Sequence, residues 1–252
     1  MMKYYYLIVS LFLGITTLRA QDVNVLLKEA DNFEKQQKDQ PALDKYKEIL
    51  LIAPANIRAL VHSAELNLSL GSRVTDKNGM RLYYESAAAF AQRAWQADSN
   101  NADANYIMAM IADRMPEIET EAKKTAVYFK DEKRYADKAL LLNPRYGKAH
   151  YLVGKWHYEL LTLPPLKKAA IKFLHGGLPP ADMDSAIAHL EQCKTLEPYF
   201  VSNYLVLAKA YKENRRPAQA IEVLKLLVRL PVRTANDPAL KAEGAELLQS
   251  MQ

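Results

Sequence analysis

The sequence predicts an all-α chain built as a solenoid of helical hairpins, and three observations carry that reading. A helix-ending motif recurs along the chain, small residues return on one face at the same beat, and the composition favours helix over sheet. Only eight of the 252 residues are glycine, and Ala, Leu, Lys and Glu are abundant. Half the chain is apolar and a quarter charged, which is ordinary globular usage and excludes a disordered tail or a coiled-coil rod. One cysteine, Cys193, excludes a disulfide framework and a cysteine-based zinc cluster. The formal charge of +5 is mild beside the basic stripe of a nucleic-acid binder, so no nucleic acid is expected as a partner.

The recurring ending is Leu51-Ile52-Ala53-Pro54-Ala55-Asn56, which returns as Gln96-Ala97-Asp98-Ser99-Asn100-Asn101 and as Leu141-Leu142-Asn143-Pro144-Arg145-Tyr146. It returns again as Leu196-Glu197-Pro198-Tyr199-Phe200 and closes as Leu230-Pro231. The steps from Pro54 through Ser99, Pro144 and Pro198 to Pro231 are 45, 45, 54 and 33 residues. A tetratricopeptide hairpin takes roughly 34 residues, so the second to fourth of about five units are enlarged. Such additions lengthen the two helices or lie in the connection between them. Proline suits the junctions because it lacks the amide donor that would continue a helix.

Each unit repeats one packing pattern. The first has Leu26, Ala30 and Phe33, then Ala42, Tyr46 and Ile49; the second has Leu60 and Ala64, then Ala87, Ala91 and Ala94. The third has Ala109 and Ala112, then Ala136 and Ala139. The fourth has Val153, Gly154 and His157, then Ala186, Leu190 and Cys193. The fifth has Tyr204, Leu207, Ala208 and Tyr211, then Ala220, Leu224 and Leu227. Small residues at 30, 64, 109, 154 and 208 let the partner helix approach closely. Pro41 and Pro217 fall in the first turn of second helices, where a missing donor costs nothing. The segment Gly71–Gly79 reads as a polar connection and 176–180 as a turn before a helix starting near Asp182. Asp237-Pro238 opens a last helix whose Leu240, Leu247, Leu248 and Met251 cover the end of the stack as a cap.

Residues 1–20 read as a secretory signal peptide, with Lys3 as the positive region, an apolar run from Tyr4 to Leu18, and Ala20 before Gln21-Asp22. The run is fifteen residues, short of the ~20 that cross a bilayer as a helix. The alternative is an uncleaved anchor. We expect the leader to be removed and the solenoid of residues 21–252 to be periplasmic or extracellular, with no membrane span. Loss of Lys3 and Arg19 lowers the formal charge to +3.

The segment Lys148-Ala149-His150-Tyr151-Leu152-Val153-Gly154-Lys155-Trp156-His157-Tyr158 is followed by Lys167-Lys168-Ala169-Ala170, Phe173 and Pro179-Pro180 before Ala186. Pro198, Phe200, Tyr211, Leu230-Pro231, Thr234 and Asp237 come behind. This order resembles the regulator of microtubule dynamics family, with its Gly-x-Trp-x-Tyr segment, long Lys/Ala-rich insertion and Pro-Pro turn. The resemblance covers about residues 123–240, while 21–122 match as generic helical repeats. It implies the tetratricopeptide fold and, from family members, a role in microtubule association and organelle contacts.

No His-Glu-x-x-His pair, phosphate-binding glycine loop, dinucleotide fingerprint or nucleophile elbow is present, so no enzyme activity and no cofactor are expected. His189 and Cys193 lie four apart on a helix and His150 and His157 seven apart, but all fall on framework positions and read as packing rather than metal ligands. The carboxylate pair Glu119 and Glu121 lies in a solvated stretch, and Asp182 with Asp184 opens a helix, where acidic groups favour the exposed amides. Trp95 and Trp156 read as packing aromatics.

The first helices of a solenoid line its concave surface. Positions beside the packing stripe place Asp103, Tyr106, Met110 and Asp113 there from the third unit. The fourth contributes Lys148, Tyr151, Lys155 and Tyr158, and the fifth Ser202, Leu205, Lys209 and Lys212. Such a surface suits an extended peptide, with lysines drawing carboxylates and tyrosine faces packing side chains. The expected function is therefore a non-enzymatic protein- or peptide-binding scaffold outside the cytoplasm. The alternatives are a membrane-anchored adaptor like the family's microtubule-associated members, and an accessory subunit of an envelope or glycan-processing system.

Overall fold

The computed structural model describes residues 22–165, 168 and 180–252. The leader and the Gly176–Pro179 part of the turn lie outside the described residues, as do Lys167, Ala169, Ala170 and Phe173. The described residues are helical throughout, with short connections and five antiparallel hairpins.

The first hairpin pairs α1 (22–35) with α2 (Asp39–Ile52). The second pairs α3 (Ile57–Gly71) with α4 (Lys77–Ala97), and the third α5 (Ala102–Arg114) with α6 (Ala122–Leu142). A single 3-10 turn, Met115–Glu117, follows α5. The fourth pairs α7 (Gly147–Thr162) with α8 (Met183–Leu196), and the fifth α9 (Val201–Glu213) with α10 (Pro217–Leu227). Helix α11 (Asp237–Ser250) packs on α9 and α10 as the cap, with Leu240, Leu247, Leu248 and Met251 against the core.

The enlargement of the second and third units resides largely in their second helices: α4 and α6 each have 21 residues against 14 in α2 and 11 in α10. The compact first and fifth units instead turn tightly. There Gln37 and Arg215 adopt φ of 59° and 57°, the left-handed cap geometry that closes one helix and starts the next. Lys38 N donates to Phe33 O, and Arg216 N to Tyr211 O, at 2.9 Å in each turn.

Packing follows the small-residue beat. Ala30, Ala64, Ala109 and Ala208 are fully buried. At Gly154 even a Cβ would lie 2.7 Å from Leu190 Cγ and 3.0 Å from the Ala186 carbonyl oxygen, so α7 and α8 meet where only glycine fits. Gly71 ends α3 in the same way, its missing Cβ standing 2.8 Å from that of Tyr83. A smaller apolar cluster gathers Ala126, Phe129, Trp156 and Leu160, and the Trp156 indole donates to Phe129 O at 2.8 Å.

The unit junctions use two kinds of helix start. Asn56 and Asn101 cap α3 and α5, accepting from Ala59 N at 2.9 Å and Ala104 N at 3.1 Å. The equivalent positions before α7 and α9 carry Tyr146 and Phe200, which make no side-chain cap. Their rings turn onto the preceding first helix instead: Tyr146 lies 5.0 Å from Tyr106, and Phe200 lies edge-on to Tyr151 at 4.9 Å. Successive first helices α3, α5, α7 and α9 touch one another, so they occupy the inside of the curve.

Candidate functional site

The inside of that curve holds a cavity of about 400 Å³. Its floor is apolar and aromatic, from Leu66 on α3, Tyr106 and Met110 on α5, and Tyr151 on α7, with Phe200 at the α9 junction. Its rim is charged on both signs. Six of the sequence-predicted residues line it: Tyr106, Met110, Asp113, Lys148, Tyr151 and Ser202.

The remaining predicted residues stand elsewhere. Lys155 is mostly covered, paired with Asp113 and, at 2.9 Å, with Glu159. Tyr158 is half-buried, Asp103 and Lys212 are exposed, and Leu205 belongs to the core. Lys209 reaches the capping helix and donates to Glu243 at 2.6 Å. The lysines at 148, 155 and 209 therefore all hold carboxylates of their own chain.

Glu65 on α3 is the centre of one network. Its Oε1 accepts from Lys148 Nζ at 2.7 Å and from the Tyr106 hydroxyl at 2.8 Å. Burial pushes the Glu65 carboxyl up, but Lys148, His62 and these hydrogen bonds outweigh it and bring its pKa from 4.5 down to about 2. Burial and the nearby Glu65 charge drive the Tyr106 hydroxyl well above the usual tyrosine range, so it stays a donor. His62 Nδ1 stands 2.9 Å from Glu34 Oε1, and although burial opposes it, that contact raises the imidazole's pKa.

A second network lies deeper, between α5, α6 and α7. Asp113, Lys155 and Glu159 surround Glu132, whose Oε1 is buried without a hydrogen-bond partner among the described residues. Burial first, and then the Asp113 charge, push the Glu132 carboxyl well above the usual carboxylate range.

The other candidate groups are occupied by packing or capping. His150 Nδ1 and His189 Nδ1 share a hydrogen bond of 2.9 Å, and His150 Nε2 stands 3.0 Å from Pro144 O. Burial, then the charge of His150, lowers the His189 pKa to about 4. Cys193 is fully buried. Among the described residues, no group of three or more His, Cys, Asp or Glu side chains could hold a metal ion. Glu119 accepts from the Thr120 and Glu121 amides at 2.8 and 2.9 Å, and Asp182 caps α8 by accepting from Ser185 N at 2.7 Å. Asp184 takes Arg216 at 2.8 Å.

The sequence reading missed the walls contributed by the first two units and by residues 233–237. The former were accessible by the rule already used: Glu65 follows the small Ala64 as Met110 follows Ala109 and Lys155 follows Gly154. The latter are a connection without periodicity, and nothing in their spacing points inward.

Stacked two-helix units, an inner row of first helices and a capping helix define a tetratricopeptide-like repeat protein. The chain belongs to the regulator of microtubule dynamics protein 1–3 family, which it matches over residues 26–252. That match extends well beyond the C-terminal stretch that carried the resemblance in the sequence. The chain is 26% identical over 231 residues to regulator of microtubule dynamics protein 3 of Bos taurus, covering 90% of this chain and 49% of the relative. It is 26% identical to protein 1 of Homo sapiens over 181 residues, 71% of this chain and 57% of that one. It thus spans about half the length of these curated relatives. Among solved structures, a thermophilic TPR protein of Thermus thermophilus superposes with a TM-score of 0.62 at 17% identity, covering 90% of this chain and 99% of that one. Pseudomonas aeruginosa pilF superposes with a TM-score of 0.53 at 14% identity, over 92% and 88% of the two chains. At these identities the likeness is one of fold. No described helix is long and apolar enough to cross a membrane.

Proposed function

We propose that this chain is a non-enzymatic scaffold that takes an extended segment of a partner protein into its concave cavity, acting outside the cytoplasm. One observation carries the reading: first helices from five successive units converge on an aromatic-floored cavity with a polar rim. An extended peptide offers alternating side chains to such a floor and backbone groups to such a rim. Lys148, Lys155 and Lys209 are committed to internal ion pairs, so their part in recognition gives way to the aromatic floor and rim hydrogen bonds. Export is proposed from the charged, apolar and small-residue order of residues 1–20. N-terminal sequencing of the chain from its native fraction tests it, with a start at Gln21 expected and retention of Lys3 contradicting it.

The cavity is tested with Ser202→Trp, which fills it from the first turn of α9. Capture of partners from the native fraction is expected to fall at least tenfold while thermal unfolding is unchanged. Equal capture by the variant removes the cavity from the account.

A second reading is a membrane-anchored adaptor; family membership favours its microtubule part, since the relatives' names state a regulatory role in microtubule dynamics for those proteins. Co-sedimentation of the chain with polymerised tubulin decides between the two. The accessory-subunit alternative places its chemistry in the long insertion of the fourth unit, much of which lies outside the described residues.

A further inference from the structure

Between α10 and α11 the chain does not take the shortest route. Residues 228–236 leave the last hairpin, run through Pro231, Val232 and Arg233 without regular structure, and place Arg233, Thr234 and Asn236 on the cavity wall, where they meet the first two units. The far end of the solenoid receives them. Gln37 Nε2, in the α1–α2 turn, donates to Val232 O at 3.3 Å. Arg73, just past α3, donates from Nη1 to Asn236 Oδ1 at 2.9 Å, and Asn236 Nδ2 donates to Ser72 Oγ at 3.1 Å. Arg73 is itself aimed by Asp39, which accepts from its Nη2 at 2.7 Å. The first two units and the segment after the last hairpin are thereby joined by contacts more than 160 residues apart in sequence.

The segment is shaped for this position. Asp237 Oδ2 accepts from the Arg233 and Thr234 amides at 2.7 and 2.9 Å, and its Oδ1 from the Thr234 hydroxyl at 2.6 Å. The Arg233 guanidinium lies 3.7 Å above the centre of the Tyr199 ring. Yet the contacts that reach the opposite end are few, polar and near the surface, and Val232 is 40% exposed. A segment with few buried apolar contacts opens at low cost compared with the core.

We propose that residues 228–236 are a strap that occupies the concave face as a bound extended peptide would, and that a partner segment enters the cavity when the Asn236 latch on Arg73 and Ser72 releases. This rests on the concave-cavity reading above and adds its regulation. A partner gains access in proportion to the fraction of chains whose strap is open, so the latch lowers apparent affinity without touching the ligand.

The test reads access directly. Met110→Cys places a thiol on the cavity floor, while Cys193 is buried and serves as the unreactive background. The rate of labelling by fluorescein-5-maleimide is compared with the latch intact and in Arg73→Ala/Asn236→Ala. Labelling is expected to quicken by about tenfold, the scale of losing a few net surface hydrogen bonds. Thermal unfolding identifies a variant that has lost its fold, and Asn236→Ala alone, at the surface, then supplies the comparison. Equal labelling rates in folded latched and unlatched chains overturn the strap. Equal rates with capture that still depends on Ser202 leave the cavity reading standing. Faster labelling with no capture by either chain keeps the strap and removes the cavity reading.

Discussion

Lys148 of the fourth unit donates to Glu65 of the second, 83 positions earlier, at 2.7 Å. The bond passes over the third unit, whose Tyr106 hydroxyl shares the same carboxylate oxygen. Three first helices are therefore tied at one atom on the inside of the curve, which sets how tightly these units bend. Lys148→Ala leaves Glu65 largely covered without its cation. Lys148 is itself more than a third exposed, so solvent screens the pair and we expect a loss of about 1–2 kcal/mol by chemical denaturation. A loss below the error of the measurement would show the bridge to be incidental to the curve.

The same carboxylate predicts an acid-side pH dependence. Its folded pKa is depressed from 4.5 to about 2, so the stability it contributes is complete above pH 4.5 and is lost as pH falls toward 2. Denaturant midpoints of the native chain and Glu65→Gln should converge across that window. A constant gap between them contradicts the assignment.

Glu132 predicts the opposite sign. Its pKa is raised, so the folded state favours the protonated form and the native chain loses stability relative to Glu132→Gln as pH rises above about 4.5, the usual range for an unfolded glutamate. Midpoints for the two chains between pH 4 and 8 check this. A native midpoint that holds or rises relative to that of Glu132→Gln across this range overturns it.

Packing of the fourth and fifth units is tested at the small positions. Gly154→Leu drives a side chain into Leu190 and the Ala186 carbonyl, and Ala208→Leu overfills a fully buried site. Each is expected to cost on the order of 1–3 kcal/mol in thermal unfolding. Unchanged melting would contradict the helix register.

The tight turn of the fifth unit offers a gain. Arg215 holds φ of 57°, a conformation glycine adopts without the Cβ penalty. Arg215→Gly is expected to stabilise by about 0.5 kcal/mol, the left-handed penalty less the added freedom of the unfolded chain. A loss of stability by denaturant titration would contradict the cap geometry.

The repeat was legible because it is a packing rule: Ala30, Ala64, Ala109, Gly154 and Ala208 are small for one shared steric reason, and Pro54, Pro144 and Pro198 mark junctions for another. The cavity was legible in part. Tyr106, Lys148 and Tyr151 followed from position beside the stripe, but a stripe does not tell a free lysine from one that reaches Glu65 or Glu243 on another helix. Those partners are 83 and 34 residues away, and superhelical curvature brings in Glu65 while docking of the capping helix brings in Glu243. The strap was not legible, since Pro231, Val232 and Arg233 follow no period and their place depends on where the opposite end of the solenoid arrives.

The most direct test of the account is site-specific photo-crosslinking from inside and outside the curve. p-Benzoylphenylalanine is placed at Met110 on the cavity floor and, separately, at Leu141, which is 75% exposed beside the second-helix hollow bordered by Trp95 and Tyr135. The account predicts a partner crosslinked from position 110, absent from position 141 and lost when Ser202→Trp fills the cavity. A partner captured from position 141 alone, indifferent to Ser202→Trp, would contradict it.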